Sequence, residues 1–320
     1  MFKTILAVTI ATLFANAGTA LAADKPLITF AMPEIQGSFW VSMYYGVSEE
    51  AKAQGVDVII VNAGGFDQVS KQIQQIENLA EKRPKVMLVG ATNAAGVRSA
   101  VEKVIASGIP VIALGSTPEP KEKLASNVVA DHYGLGRLQA ECLAKEMNGT
   151  GTVGVMAGPP GVGWSIDRAN GFKETIAKVA PNIKIVVEKS SVTGRVEGLK
   201  LMEDWLQGFP TIGGVYTPTD DMGAGAVDAL LNANRAGTVK VSSSNLSPIG
   251  ESYLRKNYIP CESVQQIVFQ GREGVRQAMT LIRGGTPQKL ITTPVMLITP
   301  ENVDTVDYSL IKAPRDFRPR

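Results

Sequence analysis

Residues 56–90 read VDVIIVNAGGFDQVSKQIQQIENLAEKRPKVMLVG, and the alternation inside this stretch sets the reading of the chain around it. Two short runs rich in Val, Ile and Leu, Val56–Val61 and Val86–Gly90, flank a segment with a different period. There Val69, Ile73, Ile76 and Ala80 recur at helical spacing, with Lys71, Gln74, Gln75 and Glu77 between them. One face of such a helix is apolar and the rest is polar. Asp67 is expected as its N-cap, and Pro84 helps to stop it. The flanking runs are continuous rather than alternating, which predicts parallel strands covered on both faces. The unit is strand, helix, strand.

Working outward, the same rhythm recurs at Leu27–Met32, Val111–Leu114 and Asn127–Ala130. A second series follows at Thr152–Met156, Ile183–Val187, Gly214–Thr217 and Val239–Ser243. Between them Ile166, Ala169, Phe172, Ile176 and Val179 share one helix face before Pro181. About nine strand–helix alternations exceed what one open sheet of usual size holds. Two doubly wound α/β lobes or one closed β/α barrel remain. The first series closes at Asp131, with a helix beginning near Tyr133, and the second has its own Gly-rich start at Asn148-Gly149-Thr150-Gly151. Near Val264 the rhythm breaks, and a helix from about Gln266 to Arg283 precedes a last strand at Met296–Thr299. A barrel does not need that irregular return. A pair of lobes crossed by the chain more than once does.

The chain has 320 residues, enough for two domains, and 44% hydrophobic against 19% charged residues argues for a globular protein. Thirty-two basic and thirty acidic residues balance too closely for a broad phosphate-reading face, so no nucleic-acid partner is expected. The lone His132 and two cysteines remove metal sites built on imidazole or thiolate clusters. A triad-type catalytic site would have to use His132, which reads instead as a structural or hinge residue. No catalytic residues, cofactor or metal are expected.

Residues 1–22 read as a signal peptide. Lys3 gives a positive start, Ile5–Ala15 is apolar, and Ala20-Leu21-Ala22 supplies the small-x-small cleavage pattern. Asn16 and Gly18 break the apolar run before it is long enough for a membrane span, and no later stretch approaches that length. The mature protein is expected in the periplasm, not embedded in the membrane. Export permits a Cys142–Cys261 disulfide between a predicted helix and a predicted strand end. Two buried free thiols are the other reading.

Three motifs bear on chemistry. Gly149-Thr-Gly151-Thr-Val-Gly154 matches G-x-G-x-x-G but follows a helix and opens a strand, the reverse of the dinucleotide context, so it reads as a turn. Gly158-Pro-Pro-Gly161-Val-Gly163 ends a strand and opens a helix, where α/β sheets bind ligands. Lacking the Lys-Ser/Thr of a phosphate loop, it is expected to rim a small-molecule site. Asp220-Asp221 reads as a helix N-cap plus one ligand contact rather than as paired catalytic carboxylates, since adjacent helical residues point in different directions.

Taken together, Gly37-Ser-Phe39-Trp40-Val-Ser-Met, the helix phrase Gln72–Leu79, Ala106-Ser-Gly-Ile-Pro-Val-Ile-Ala-Leu, Asp167-Arg168-Ala-Asn-Gly171-Phe172 and Thr219-Asp220-Asp221-Met222 resemble type I periplasmic solute-binding proteins of the ribose group. The resemblance spans nearly the whole mature chain. It is closer to the TorT-type branch at Ser38-Phe39-Trp40-Val-Ser, Gln54-Gly55-Val56, Ala63-Gly64-Gly65-Phe66, Asn245-Leu246-Ser247 and Phe317-Arg318-Pro319.

The resemblance implies two Rossmann-like lobes, 25–130 plus 265–291 and 131–264 plus 292–320, joined by hinges near Ala130-Asp131, Val264-Gln265 and Thr292-Thr293. It implies a ligand cleft lined by Glu34, Gln36, Phe39, Trp40, Ser116, His132, Trp164, Arg168, Thr219, Asp220, Asn245 and Gln265. Phe39 and Trp40 match an aromatic pair that sandwiches the ligand, although a Trp ahead of a helix also reads as core. Gly115 and Ser116 stand where the ribose group has an Asp-Arg pair for sugar hydroxyls, and Ile166 stands where it has an Arg. Thr219 and Asn245 replace an Asn and an Asp, while Gln265 keeps its amide. His132 and Gly134 stand where the TorT branch has tryptophans, which removes that source of an aromatic cage. Two functions follow: capture of a small polar solute, sugar or polyol-like, for an ABC transporter permease, or ligand sensing with the periplasmic domain of a sensor kinase.

Overall fold

Strand β1 (Leu27–Met32) is buried from its second residue onward and pairs in parallel with β2 (Asp57–Asn62) on one side and β3 (Val86–Val89) on the other. The structure is a computed structural model describing residues 25–319, so the expected signal peptide lies outside the described residues. β4 (Val111–Leu114), β5 (Ser126–Ala130) and β11 (Leu290–Thr293) complete an open sheet in the order β11-β5-β4-β3-β1-β2, with every pairing parallel. Both faces are covered, as the continuous apolar runs require. Ile28, Phe30 and Met32 pack under Met43 and Val47 of α1 (Ser38–Gln54) and Val275 of α9 (Ile267–Ile282). Ala31, Met87 and Val89 pack under Ile76 of α2 (Val69–Ala80) and Val101 of α3 (Arg98–Ala106).

The second sheet holds β6 (Thr150–Gly158), β7 (Asn182–Ser190), β8 (Gly214–Tyr216), β9 (Lys240–Ser244), β10 (Cys261–Gln265) and β12 (Val295–Ile298), in the order β12-β10-β9-β8-β6-β7. Only β12 runs antiparallel to its neighbour. On one face lie α4 (His132–Glu146) and α5 (Gly163–Val179), and on the other α6 (Arg195–Gly208) and α7 (Asp220–Asn232). Neither sheet closes on itself, which disposes of the barrel.

Helix pairs approach through glycine. A Cβ on Gly46 of α1 would sit 2.3 Å from the Val268 carbonyl of α9, and one on Gly271 would sit 2.6 Å from that of Met43. No larger side chain fits there without moving a backbone.

The chain passes between the sheets after β5, after β10 and after β11. Strand membership departs slightly from the expected lobe limits. Gln265 pairs with Val295 in the second sheet, and Thr292 and Thr293 pair with Val129 and Ala130 in the first. The C-terminal segment touches both lobes, with Val303 and Ile311 packed among Leu246, Leu254 and Val264 of the second. Its Ala313 amide donates to Ser42 Oγ at 3.1 Å, and the Phe317 ring packs 4.9 Å from that of Tyr45, both on α1. The three crossings are tied together by side chains. Gln270 Nε2 lies 3.1 Å from both Gln265 Oε1 and Thr293 Oγ1, and Thr293 Oγ1 lies 3.4 Å from the Val129 carbonyl.

Three local readings change. Asp67 does not cap α2: Gln68 holds that position without a side-chain bond, and Asp67 instead accepts from Gln68 Nε2. Thr219, not Asp220, is the N-cap of α7. The late irregular region contains two strands, β11 and β12, where one was expected, because the polar residues Thr292, Thr293 and Lys289 mask the short apolar signal of β11. Cys142 of α4 and Cys261 of β10 are bridged, with Cα atoms 6.6 Å apart.

Candidate functional site

Every strand named below hands its carboxyl end to a loop that faces the gap between the two sheets, the position where open α/β sheets take ligands. β1 leads to Glu34, Phe39 and Trp40; β2 to Phe66; β4 to Gly115 and Ser116; β5 to His132. From the other sheet, β6 leads to Trp164 and Arg168, β7 to Thr193, β8 to Thr219, Asp220 and Asp221, and β9 to Asn245. Together they line a cavity of about 550 Å³ including its open mouth.

Rings form its floor and one wall. Phe39 meets Trp40 edge to face at 5.0 Å between centroids, Trp40 lies 6.4 Å from Phe66, and Phe66 lies 6.2 Å from Trp164 across the gap. Trp40 does two jobs: it is 2% exposed and packs in the core with Phe30 and Met43 while lining the cavity.

Polar groups complete the lining. Arg168 is buried and held on two sides: Nη1 donates to the Pro218 carbonyl at 2.6 Å, Nε to His132 Nδ1 at 3.4 Å, and Cζ lies 4.9 Å from the Trp164 ring centre. Burial draws its pKa down to about 10, which leaves it charged at neutral pH. Burial first, and then the Arg168 charge, hold His132 well below the usual imidazole range, so the ring is neutral. With Nδ1 accepting, the proton is assigned to Nε2, which lies near the Gly115 carbonyl without meeting hydrogen-bond geometry.

Asp220 is 1% exposed, and its carboxylate accepts from the Ser247 amide at the start of α8 (Pro248–Arg255) and from the Asp221 amide. Burial raises its proton affinity, and the neighbouring Asp221 charge raises it further. Glu34 accepts from the Gly37 amide at 3.2 Å. Burial also raises its pKa, with a further push from Asp221. Ser116 spends its hydroxyl on the Ala91 carbonyl at 2.8 Å, and Thr219 Oγ1 has no partner.

Ten of the twelve residues expected in the cleft line this cavity. Gln36 does not: it is exposed and faces an adjoining groove beside Ser38 and the C-terminal segment. Gln265 stands behind the wall, donating from Nε2 to Asn245 Oδ1 at 2.9 Å and so orienting the lining residue. Sequence reasoning missed Phe66, Thr193 and Asp221 as lining residues. For Phe66 a signal existed, an aromatic just past a strand end in Ala63-Gly64-Gly65-Phe66. Of Asp220-Asp221 one ligand contact was expected, and both face the cavity from the first turn of α7. Among the described residues no group of three or more His, Cys, Asp or Glu is placed to hold a metal, and no helix is long and apolar enough to cross a membrane.

Residues 28–286 match the family model for the periplasmic binding protein domain. The ribose import binding protein RbsB of Bacillus subtilis is 28% identical over 272 residues, covering 85% of this chain and 87% of that protein. The periplasmic protein TorT of Escherichia coli is 26% identical over 293 residues, covering 90% and 82%. Among solved structures, an ABC transporter periplasmic solute-binding protein from Actinobacillus succinogenes with bound D-allose superposes with a TM-score of 0.83 at 26% identity, covering 88% of this chain and 100% of that one.

Proposed function

The chain belongs to the periplasmic binding protein domain family, and from that premise we propose that it captures a small polar solute, sugar or polyol-like, for an ABC transporter. It is a binding protein, not an enzyme. The observation that carries the reading is the cavity itself: both sheets contribute to it, an aromatic floor faces it, and buried polar groups stand around its wall. Such a mixture fits a hydroxylated ligand, whose apolar ring face stacks on aromatic side chains while its edges hydrogen-bond. The similarity to a ribose import binding protein and to a solute-binding protein with bound D-allose supports the same ligand class.

The lobes are taken to be the layers around each sheet, moving about the three crossings, with residues 1–22 removed on export. Few residues need to change φ/ψ for such a rotation. A thermal-shift screen of ribose, allose, xylitol and methylamines tests the reading. A ligand at 100 times its dissociation constant adds about 2.7 kcal/mol to the native state. Absence of any shift across the panel would count against solute capture.

The similarity to TorT over 90% of the chain favours a second reading, a ligand-sensing partner of a membrane histidine kinase. Co-purification with a kinase periplasmic domain rather than with a permease would select it.

A further inference from the structure

The charges lining the cavity do not balance. Glu34, Asp220 and Asp221 stand against Arg168 as the one basic side chain in the lining. Arg168 is occupied by Pro218, His132 and Trp164, and the Asp220 carboxylate by two backbone amides. That leaves Glu34, which accepts from the Gly37 amide, and Asp221, which feels the charge of Arg195 in an adjoining groove; they come from different sheets, and the Asp221 charge raises the proton affinity of Glu34 across the cavity they both line. Two like charges brought together by closure oppose it. A cation seated between them reverses the sign, and the four rings, with electron-rich faces, add to the attraction.

We propose that the ligand of this cleft carries a protonated amine on a hydroxylated frame, as in an amino sugar or amino polyol, with its nitrogen between Glu34 and Asp221. The proposal rests on the solute-capture reading and narrows its substrate class. The hydroxylated frame is argued from the polar lining, where Thr219 Oγ1 and His132 Nε2 are buried and lack hydrogen-bond partners. Buried polar groups of this kind are costly unless something satisfies them. A ligand hydroxyl reaching Thr219 Oγ1 can donate to it or accept from it, and one reaching His132 Nε2 can accept from it. Closure then depends on the charge: the ammonium relieves a repulsion that a neutral twin leaves in place.

Titration calorimetry at pH 7 with two matched pairs, glucosamine against glucose and 1-amino-1-deoxysorbitol against sorbitol, tests this directly. The amine of at least one pair is expected to bind about tenfold or more tightly than its neutral twin, a difference of about 1.4 kcal/mol. Glu34→Gln and Asp221→Asn should each bring that ratio toward one. Glu34→Gln removes a like charge and keeps an oxygen for the Gly37 amide, so it should not lower the melting temperature of the unliganded protein. Should one variant fail to fold, the other and the wild-type ratio still decide. A neutral twin that binds as well as its amine, or variants that keep the preference, would overturn the proposal while leaving solute capture intact. Failure of both pairs, together with ribose and xylitol, would overturn both.

Discussion

The rings of Phe66 and Trp164 meet with centroids 6.2 Å apart, one carried on the loop after β2 in the first sheet and the other on α5 over the second. Their contact spans the cleft, so it exists only while the lobes are together. Trp164 is also the face on which Arg168 lies, which couples this contact to the polar wall. Trp164→Ala removes both interactions and should weaken closure. Small-angle scattering with the best ligand from the screen should show a fall in radius of gyration on saturation for the wild type and a smaller fall for the variant. Equal radii with and without ligand in the wild type would leave a rigid module in place of hinged lobes.

Trp40 and Phe66 should separate stability from binding. Trp40 is embedded in the core, so Trp40→Ala is expected to cost about 3–5 kcal/mol without ligand, besides removing the cavity floor. Phe66 is half-buried on a loop, and Phe66→Ala should cost much less while still abolishing the ligand-induced thermal shift. Chemical denaturation with and without ligand measures both quantities. A Trp40→Ala protein as stable as the wild type would contradict its core placement.

The bridge between Cys142 and Cys261 closes a sequence separation of 119 residues inside the second sheet's layers, and neither cysteine lines the cavity. Cys142→Ala with Cys261→Ala should therefore lower unfolding free energy by about 2–5 kcal/mol. Ligand affinity, read by calorimetry on the folded double variant, should stay within about twofold, a change of about 0.4 kcal/mol. A large loss of affinity would mean that the bridge shapes the cleft.

Glu262 on β10 is completely buried, and neither carboxyl oxygen meets hydrogen-bond geometry, although Ser243 and the Leu246 amide lie nearby. Burial, and then the Asp220 charge, push its pKa well above the ordinary glutamate value. The native state therefore holds a proton that the unfolded chain releases. Its favourable contribution is complete below the unfolded pKa and is lost as pH rises toward the folded one. Glu262→Gln keeps the shape and removes the titration. Its stability relative to wild type should thus grow as pH is raised above about 4.3, the unperturbed glutamate value, in urea denaturation series. A difference that stays constant with pH would show that Glu262 does not titrate on unfolding in that range.

Periodicity alone determined much of this protein. The switch between continuous apolar runs and helical spacing in residues 56–90 marks β2, α2 and β3 to within a residue or two, because strands covered on both faces and helices covered on one leave different patterns. The strand end at Gly158-Pro-Pro-Gly161-Val-Gly163 likewise marked one rim, since the loops after parallel strands gather at one edge of each sheet, whereas the other cleft residues came from the resemblance to type I periplasmic solute-binding proteins. Contacts between residues far apart in the chain were beyond that reading. β11 is four residues long and half polar, and its identity comes from its pairing with β5, more than 150 positions earlier. The Cys142–Cys261 bridge, the Gln270 link among three crossings and the opposition of Glu34 to Asp221 are likewise set by how two sheets are placed in space. Local propensity acts over a few residues, whereas charge repulsion, ring contact and disulfide geometry act over ångströms between elements that only the folded chain brings together.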